Sequence, residues 1–365
     1  MKETRKIFFI QSLYAISGGT IAIILPLLMK ERGITLISIG LIYAILPIIF
    51  QITRMAFALI SDAFGRKIFF LLNGFLKASS IFIYYFAFSP FAFLGGRIVE
   101  GISNASLWSV NRAFILEREG KKREPLVKLR SINNIFSAVG RLLTGFLAIF
   151  FVNEKILLSS LVFAILIFFV ALTIKEKKEK VQIKKFFQYF DLKNKHPLFL
   201  RGFFLCFLIG ISAGLTGGYV LPLFLKSLSF ETKNIGILLG FQTLLLGIFI
   251  FFFGKLKKKR WFLIGLFYSI TLFLIGYFKN PFLISLLVLL LGITYGIVPV
   301  FNEDLFSRLI KNGSFATDIG ILTLAIHLGR ALSLASAGFL INLFGFWSVF
   351  FLGGVIFILF LIFYK

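Results

Sequence analysis

Long apolar runs separated by short charged segments set the pattern of this chain. A helix needs about 20 apolar residues to cross the hydrocarbon core of a bilayer. On that ruler the pattern predicts twelve spans, at 7–29, 35–60, 68–88, 91–113, 126–152, 156–174, 199–225, 232–254, 261–278, 281–303, 315–341 and 345–364. The connections are short except for the basic segment 175–198. Lys2, Arg5 and Lys6 ahead of an apolar run imitate a signal peptide. The run is too long and no small-x-small cleavage site follows, so it reads as a retained first helix.

The chain also repeats itself. Gly18, Thr20, Leu25, Pro26, Leu27, Lys30, Ile39 and Gly40 recur at one offset of 196 as Gly214, Thr216, Leu221, Pro222, Leu223, Lys226, Ile235 and Gly236. Later, Gly140-Arg141 and Gly329-Arg330 open similar strings, G-R-L-L-T-G-F-L and G-R-A-L-S-L-A-S-A-G-F-L. The expected architecture is an all-α polytopic membrane protein of twelve transmembrane helices in two six-helix pseudo-symmetric halves, 1–174 and 199–365, joined by the linker 175–198. The linker's basic start and aromatic middle suit a helix lying on anionic lipid headgroups, or a solvated connection held inside by its charge.

Composition agrees with lipid as the solvent. Of 365 residues 59% are hydrophobic and 51 are Phe, with a mean hydropathy of +0.96, more apolar surface than one soluble core can hide. A net charge of +25 in a soluble protein suggests nucleic acid; here the charges lie between apolar spans, and orientation explains them. With the N-terminus inside, 29 of the 40 Lys and Arg fall in inner segments and 6 in outer ones, so both termini are expected in the cytoplasm. The single cysteine, Cys206, excludes an internal disulfide and a cysteine cluster, and His196 and His327 are too far apart to suggest a metal site. No cofactor is implied, and no nucleotide-binding loop is present.

The loop between the second and third spans reads A-L-I-S-D-A-F-G-R-K over Ala58–Lys67. Gly65 permits a tight reversal, and Arg66 and Lys67 hold the loop on the inner side. The stretch resembles the signature loop of the major facilitator superfamily, G-x-L-x-D-x-x-G-R-K, matching at Asp62, Gly65, Arg66 and Lys67, with Ala58 where the family has Gly. The resemblance implies two rocking halves around a central site near the midplane. It also implies a cytoplasmic gate, with Asp62 packed near Thr317–Gly320 at the start of the eleventh span and a charge chain from Arg66 to Glu117. Arg54, one turn before Ala58, belongs with that gate. The corresponding loop of the second half, G-K-L-K-K-K-R, has Lys258 where Asp62 would repeat.

Five cations, Arg54, Lys77, Arg97, Arg141 and Arg330, fall inside spans away from the span ends. Each costs about 2.5–3.5 kcal/mol at mid-helix even on the lenient scale, so all need partners or water. Arg97 and Glu100 lie in R-I-V-E-G, which resembles the family's fourth-helix motif R-x-x-x-G; three residues apart, the two side chains share a helix face. That resemblance links the arginine with proton coupling and makes Glu100 a candidate proton carrier tuned by Arg97; a fixed ion pair is the competing reading. The fifth span matches the family's antiporter motif weakly, with Arg141 where Pro belongs. Arg141 and Arg330 occupy matching places in helices that flank the family's cavity, so the resemblance makes them anion-binding groups. A local pair with a backbone carbonyl or Asn133 is the alternative. Gln11 and Tyr14, on the first span, are further substrate contacts on the same grounds. Lys77 is expected to snorkel or to pair with a neighbouring helix.

Together these residues point to a non-enzymatic secondary transporter in the cell membrane, a monomer that moves a small organic anion by alternating access with protons as the coupling ion. A proton-driven multidrug exporter and a non-transporting sensor on the same fold are the alternatives. A membrane enzyme would need paired acids or a metal-ligand cluster, and Glu100 is the one acid near the middle of a span.

Overall fold

The computed structural model describes residues 2–119, 124–175, 197–309 and 315–364. Among the described residues there are helices and no strands. In the first half these are α1 (Lys2–Glu31), α2 (Leu36–Phe64), α3 (Lys67–Phe86), α4 (Pro90–Glu119), α5 (Glu124–Leu147) and α6 (Asn153–Leu172). The second half has α7 (Pro197–Thr216), α8 (Val220–Ser227), α9 (Thr232–Phe253), α10 (Lys258–Tyr277), α11 (Pro281–Tyr295), α12 (Ile297–Leu309), α13 (Phe315–Phe344) and α14 (Phe346–Tyr364). Ten stretches among the described residues are long and apolar enough to cross a membrane, α7 with α8 and α11 with α12 each forming one of them. α4 and α5 are long enough but more polar, since they carry Arg97, Glu100, Asn104 and Asn111, and Asn133, Asn134 and Arg141. The linker positions 176–196, including the surface-helix reading, lie outside the described residues.

Two expected spans are broken. The first copy of the repeat runs through Pro26 as one continuous α1, while the second stops at Thr216 and resumes at Val220. Both copies carry the proline, so the proline does not decide it. Gly217 and Gly218 stand where the first copy has Ile21 and Ala22. Two glycines cost the helix about 1 kcal/mol each relative to Ala, and Gly218 takes φ +59, which a residue with a Cβ resists. The break turns Tyr219 so that its hydroxyl donates to the Leu334 carbonyl at 3.1 Å, and its ring meets Tyr43 at 5.1 Å. The other break falls at Gly296, three residues before Pro299, whose ring cannot sit over a helical carbonyl four residues back.

The chain forms two compact units. The first comprises Met1–Ile34, Ile48–Lys184 and Glu231–Gly240; the second comprises Thr35–Pro47, Lys185–Phe230 and Phe241–Lys365. In the first, α1 packs on α5 and α6, and α3 on α4 and α6. Its buried core gathers Ile7, Ile10, Phe70, Leu107, Phe114 and Ile167. In the second, α7 packs on α13 and α14, and α10 on α11 and α14. Each unit has a close helix contact at an equivalent glycine. A Cβ on Gly140 would collide with the Ile16 carbonyl of α1, and one on Gly329 with the Phe207 carbonyl of α7. Small residues let such backbones meet, and close packing is what associates helices in lipid.

One arginine ties off a helix end in the first unit. Arg32 donates to the carbonyls of Tyr84 (3.0 Å), Tyr85 (2.9 Å) and Ala87 (2.5 Å) at the end of α3, pairs with Glu154 at 2.7 Å, and lies 4.3 Å over the Phe88 ring. These are the carbonyls a helix terminus leaves without partners. Arg32→Ala should therefore lower the thermal midpoint of the detergent-purified protein, with a loss of about 1.5–3 kcal/mol for hydrogen bonds to a charged group. An unchanged melting curve would show that these carbonyls find other donors.

Candidate functional site

Three polar features stand out among the described residues of the first unit. The most charged joins α3 to α4. Glu100 accepts from Lys77 at 2.9 Å on one oxygen, and from Arg97 and the Tyr84 hydroxyl, both at 2.7 Å, on the other. All four side chains are buried. Lys77 thus pairs with a neighbouring helix, and Glu100 serves two cations. With both oxygens engaged, the cluster carries a net single positive charge in a setting where an unpaired ion is costly.

The second cluster is a chain of amides across α1, α4 and α5. Gln11, fully buried, donates to Asn133 at 2.8 Å and accepts from Asn111 at 3.0 Å. Buried amides that satisfy one another hold their helices in register. Tyr14 stands one turn along α1, with Trp108 at its hydroxyl and the Lys77 ammonium 5.5 Å from its ring. Tyr14 therefore stands between the amide chain below it on α1 and the charge cluster that its ring touches through Lys77.

The third feature is Arg141. Its Nε is buried without a hydrogen-bond partner, and no ion pair or hydrogen bond to its guanidinium is found among the described residues. Successive helix residues turn by about 100°, which fixes where it points. On α5, Gly140 faces α1, Leu142 and Gly145 face Gly240 and Gly236 of α9, and Val139 and Phe146 are exposed. Arg141 falls between the α1 and α9 faces, away from the exposed stripe. Arg330 has the matching register in the second unit but is itself exposed. Gly329 faces α7, Leu334 and Gly338 face Gly40 and Leu36 of α2, and Leu328, Leu332 and Phe339 are exposed. Arg330 falls between the α7 and α2 faces, with Tyr295 as its electrostatic neighbour. Close by, Tyr268 and Thr216 hydroxyls meet at 3.3 Å beside the α7 break.

At the loop between α2 and α3, Gly65 takes φ +86, the tight reversal expected of it. Arg66 is buried at the start of α3, Lys67 donates to the Leu172 carbonyl at 2.6 Å, and Arg54 lies 5.9 Å from the Phe50 ring. The side chains of Asp62 and Glu117 lie outside the described residues, and with them the expected charge chain. The second unit has an ionic cluster that sequence reasoning missed. Lys258, at the place of Asp62 in the repeat, pairs with Asp304 of α12 at 2.7 Å, and Asp304 also takes Arg308 at 2.5 Å and the Tyr364 hydroxyl at 2.6 Å. The signal was the Asp304–Arg308 spacing of four near a helix end, which favours pairing.

The model of the Major Facilitator Superfamily matches residues 7–316. The chain belongs to the Major Facilitator Superfamily. A curated relative is an uncharacterised MFS-type transporter of Methanocaldococcus jannaschii, 23% identical over 345 residues that cover 90% of this chain and 88% of the relative. Among solved structures, the nucleoside transporter NupG has the same fold, with a TM-score of 0.80 at 14% identity over 100% of both chains. The human organic anion transporter TETRAN is also similar, with a TM-score of 0.70 at 17% identity over 100% of this chain and 99% of that one. The chain is a multi-pass membrane protein of a transporter family whose substrate is a small molecule.

Proposed function

We propose that this protein is a secondary transporter of the cell membrane that carries a small organic anion by alternating access. The observation that carries the reading is Arg141, a guanidinium in a membrane helix with no protein partner among the described residues. A buried cation without a counter-ion is costly, and a bound carboxylate or phosphate supplies both the charge and the forked geometry a guanidinium prefers. Arg330 stands in the same register of the second unit and serves the same class of ligand. A cationic-drug pocket calls for the opposite sign of charge. Twelve spans, a monomer and two cytoplasmic termini complete the proposal, the last from the excess of Lys and Arg in the inner segments.

Uptake into proteoliposomes tests it, with radiolabelled carboxylates and phosphates set against organic cations and neutral nucleosides. Saturable uptake of anions is expected, with competition among anions only. A preference for cations or neutral solutes would overturn the anion reading and leave the family assignment intact. Coupling belongs to the same proposal. The proton is the coupling ion, and Glu100 takes it when movement between α3 and α4 draws Lys77 away. Anion accumulation driven by an imposed pH gradient is the expected result, and accumulation indifferent to that gradient would remove the proton.

A further inference from the structure

The amide chain fixes the relative height of three helices in the first unit, and two turns away it leaves a place with unmet hydrogen-bonding capacity. Gln11 bonds Asn133 of α5 and Asn111 of α4, so these three residues share a level. α1 and α5 run in the same direction, as the Thr20 hydroxyl's bond to the Gly140 carbonyl at 3.2 Å shows. α4 runs the opposite way, since Tyr14 meets Trp108. Seven residues are about two turns and return nearly to the same face. Seven residues on from Gln11 is Gly18, seven back from Asn111 is Asn104, and eight on from Asn133 is Arg141. A Cβ on Gly19 would lie 3.2 Å from the Arg141 backbone nitrogen, which places that level independently.

At this level a Cβ on Gly18 would meet nothing within 4 Å, so α1 borders open space. By register Asn104 and Arg141 share this level; Asn104 Oδ1 is buried without a donor, and Arg141 Nε is buried without an acceptor. Buried polar atoms are rarely left unmet, and two of opposite sense beside one space define what fills it. We infer that the transported anion also carries a hydrogen-bond donor, with its anionic group on Arg141 and its N–H or O–H on the Asn104 carbonyl oxygen. This rests on the anion reading above and narrows it to hydroxy- or amide-bearing carboxylates or phosphates. Tyr14 and Trp108, one turn nearer the amide chain, offer ring faces to the ligand's carbon skeleton.

The test uses 4-hydroxybenzoate, 4-methoxybenzoate and 4-hydroxybenzamide as probes, with binding to the full-length detergent-purified protein measured by calorimetry. The wild type should bind 4-hydroxybenzoate about ten-fold tighter than either of the others, one hydrogen bond being lost in each case. Asn104→Leu should erase the difference between hydroxyl and methoxyl while keeping the preference for carboxylate over carboxamide. Arg141→Gln should do the reverse, and Asn104→Ser, which keeps an acceptor, should retain part of the hydroxyl preference. Gly18→Ala puts a methyl group into the open space without touching the protein, so it should weaken every probe without lowering the melting temperature. Equal binding of hydroxyl and methoxyl compounds by the wild type, discrimination that survives Asn104→Leu, or no binding of any probe overturns the inference. Loss of the carboxylate preference alone sinks the anion reading instead.

Discussion

Glu100→Gln should be the most destabilising single change in the first unit. It leaves Lys77 and Arg97 buried with no carboxylate between them, and breaking a buried pair from one side costs about 3–5 kcal/mol. The Tyr84 hydroxyl also loses a charged acceptor at 2.7 Å. Lys77→Met, by contrast, leaves Glu100 with Arg97 at 2.7 Å and removes the surplus positive charge, so its effect should be small. The double variant should recover part of what Glu100→Gln loses, because a single cation then remains unpaired. Thermal unfolding in detergent reads these three outcomes. Equal losses in the two single variants would mean that Lys77 is needed for packing rather than charge.

The same variants separate structure from coupling. If Glu100 carries the proton, Glu100→Gln mimics its protonated form and abolishes pH-driven accumulation while substrate exchange continues. The double variant, with stability partly restored, should still fail to accumulate. Recovery of accumulation in the double variant would make Glu100 a clamp between α3 and α4 and place the proton elsewhere.

What the sequence showed and what it hid follow from the range of the interactions. Apolar runs announced the spans because length and hydropathy are local properties, and the predicted 232–254 and 281 start agree closely with α9 and α11. The Arg97–Glu100 pair was legible because three residues bring two side chains to one face. Lys77 and Tyr84 were not assigned to the same carboxylate, because they lie 23 and 16 residues away on the preceding helix. The amide chain of Gln11, Asn111 and Asn133 spans separations of 100 and 122 residues, and no periodicity announces it. Gly217 and Gly218 were visible as small residues. That they break α7 needed a comparison with Ile21 and Ala22 at the same register, where the chain stays helical. Lys258 looked like a lost acid; Asp304 supplies that acid from another helix.

Arg141→Leu should move stability and function in opposite directions. The guanidinium sits in a membrane helix with its Nε buried and unbonded, so replacing it with an apolar side chain removes a cost of about 2.5–3.5 kcal/mol rather than an interaction. The melting temperature of the ligand-free protein should therefore rise. Anion binding should fall by about 10- to 100-fold, the equivalent of one charge-assisted hydrogen bond of about 1.5–3 kcal/mol. Arg141→Lys should recover little, because an ammonium cannot present the fork that matches a carboxylate. Arg330→Leu should show the same loss of binding, since its register in the second unit repeats that of Arg141. Its gain in stability should be smaller, because Arg330 is exposed. Saturating anion should raise the wild-type melting temperature more than that of Arg141→Leu, so the two curves approach one another as ligand is added. A fall in stability on Arg141→Leu would show that the guanidinium is structural, and the anion reading would then lose the observation that carries it.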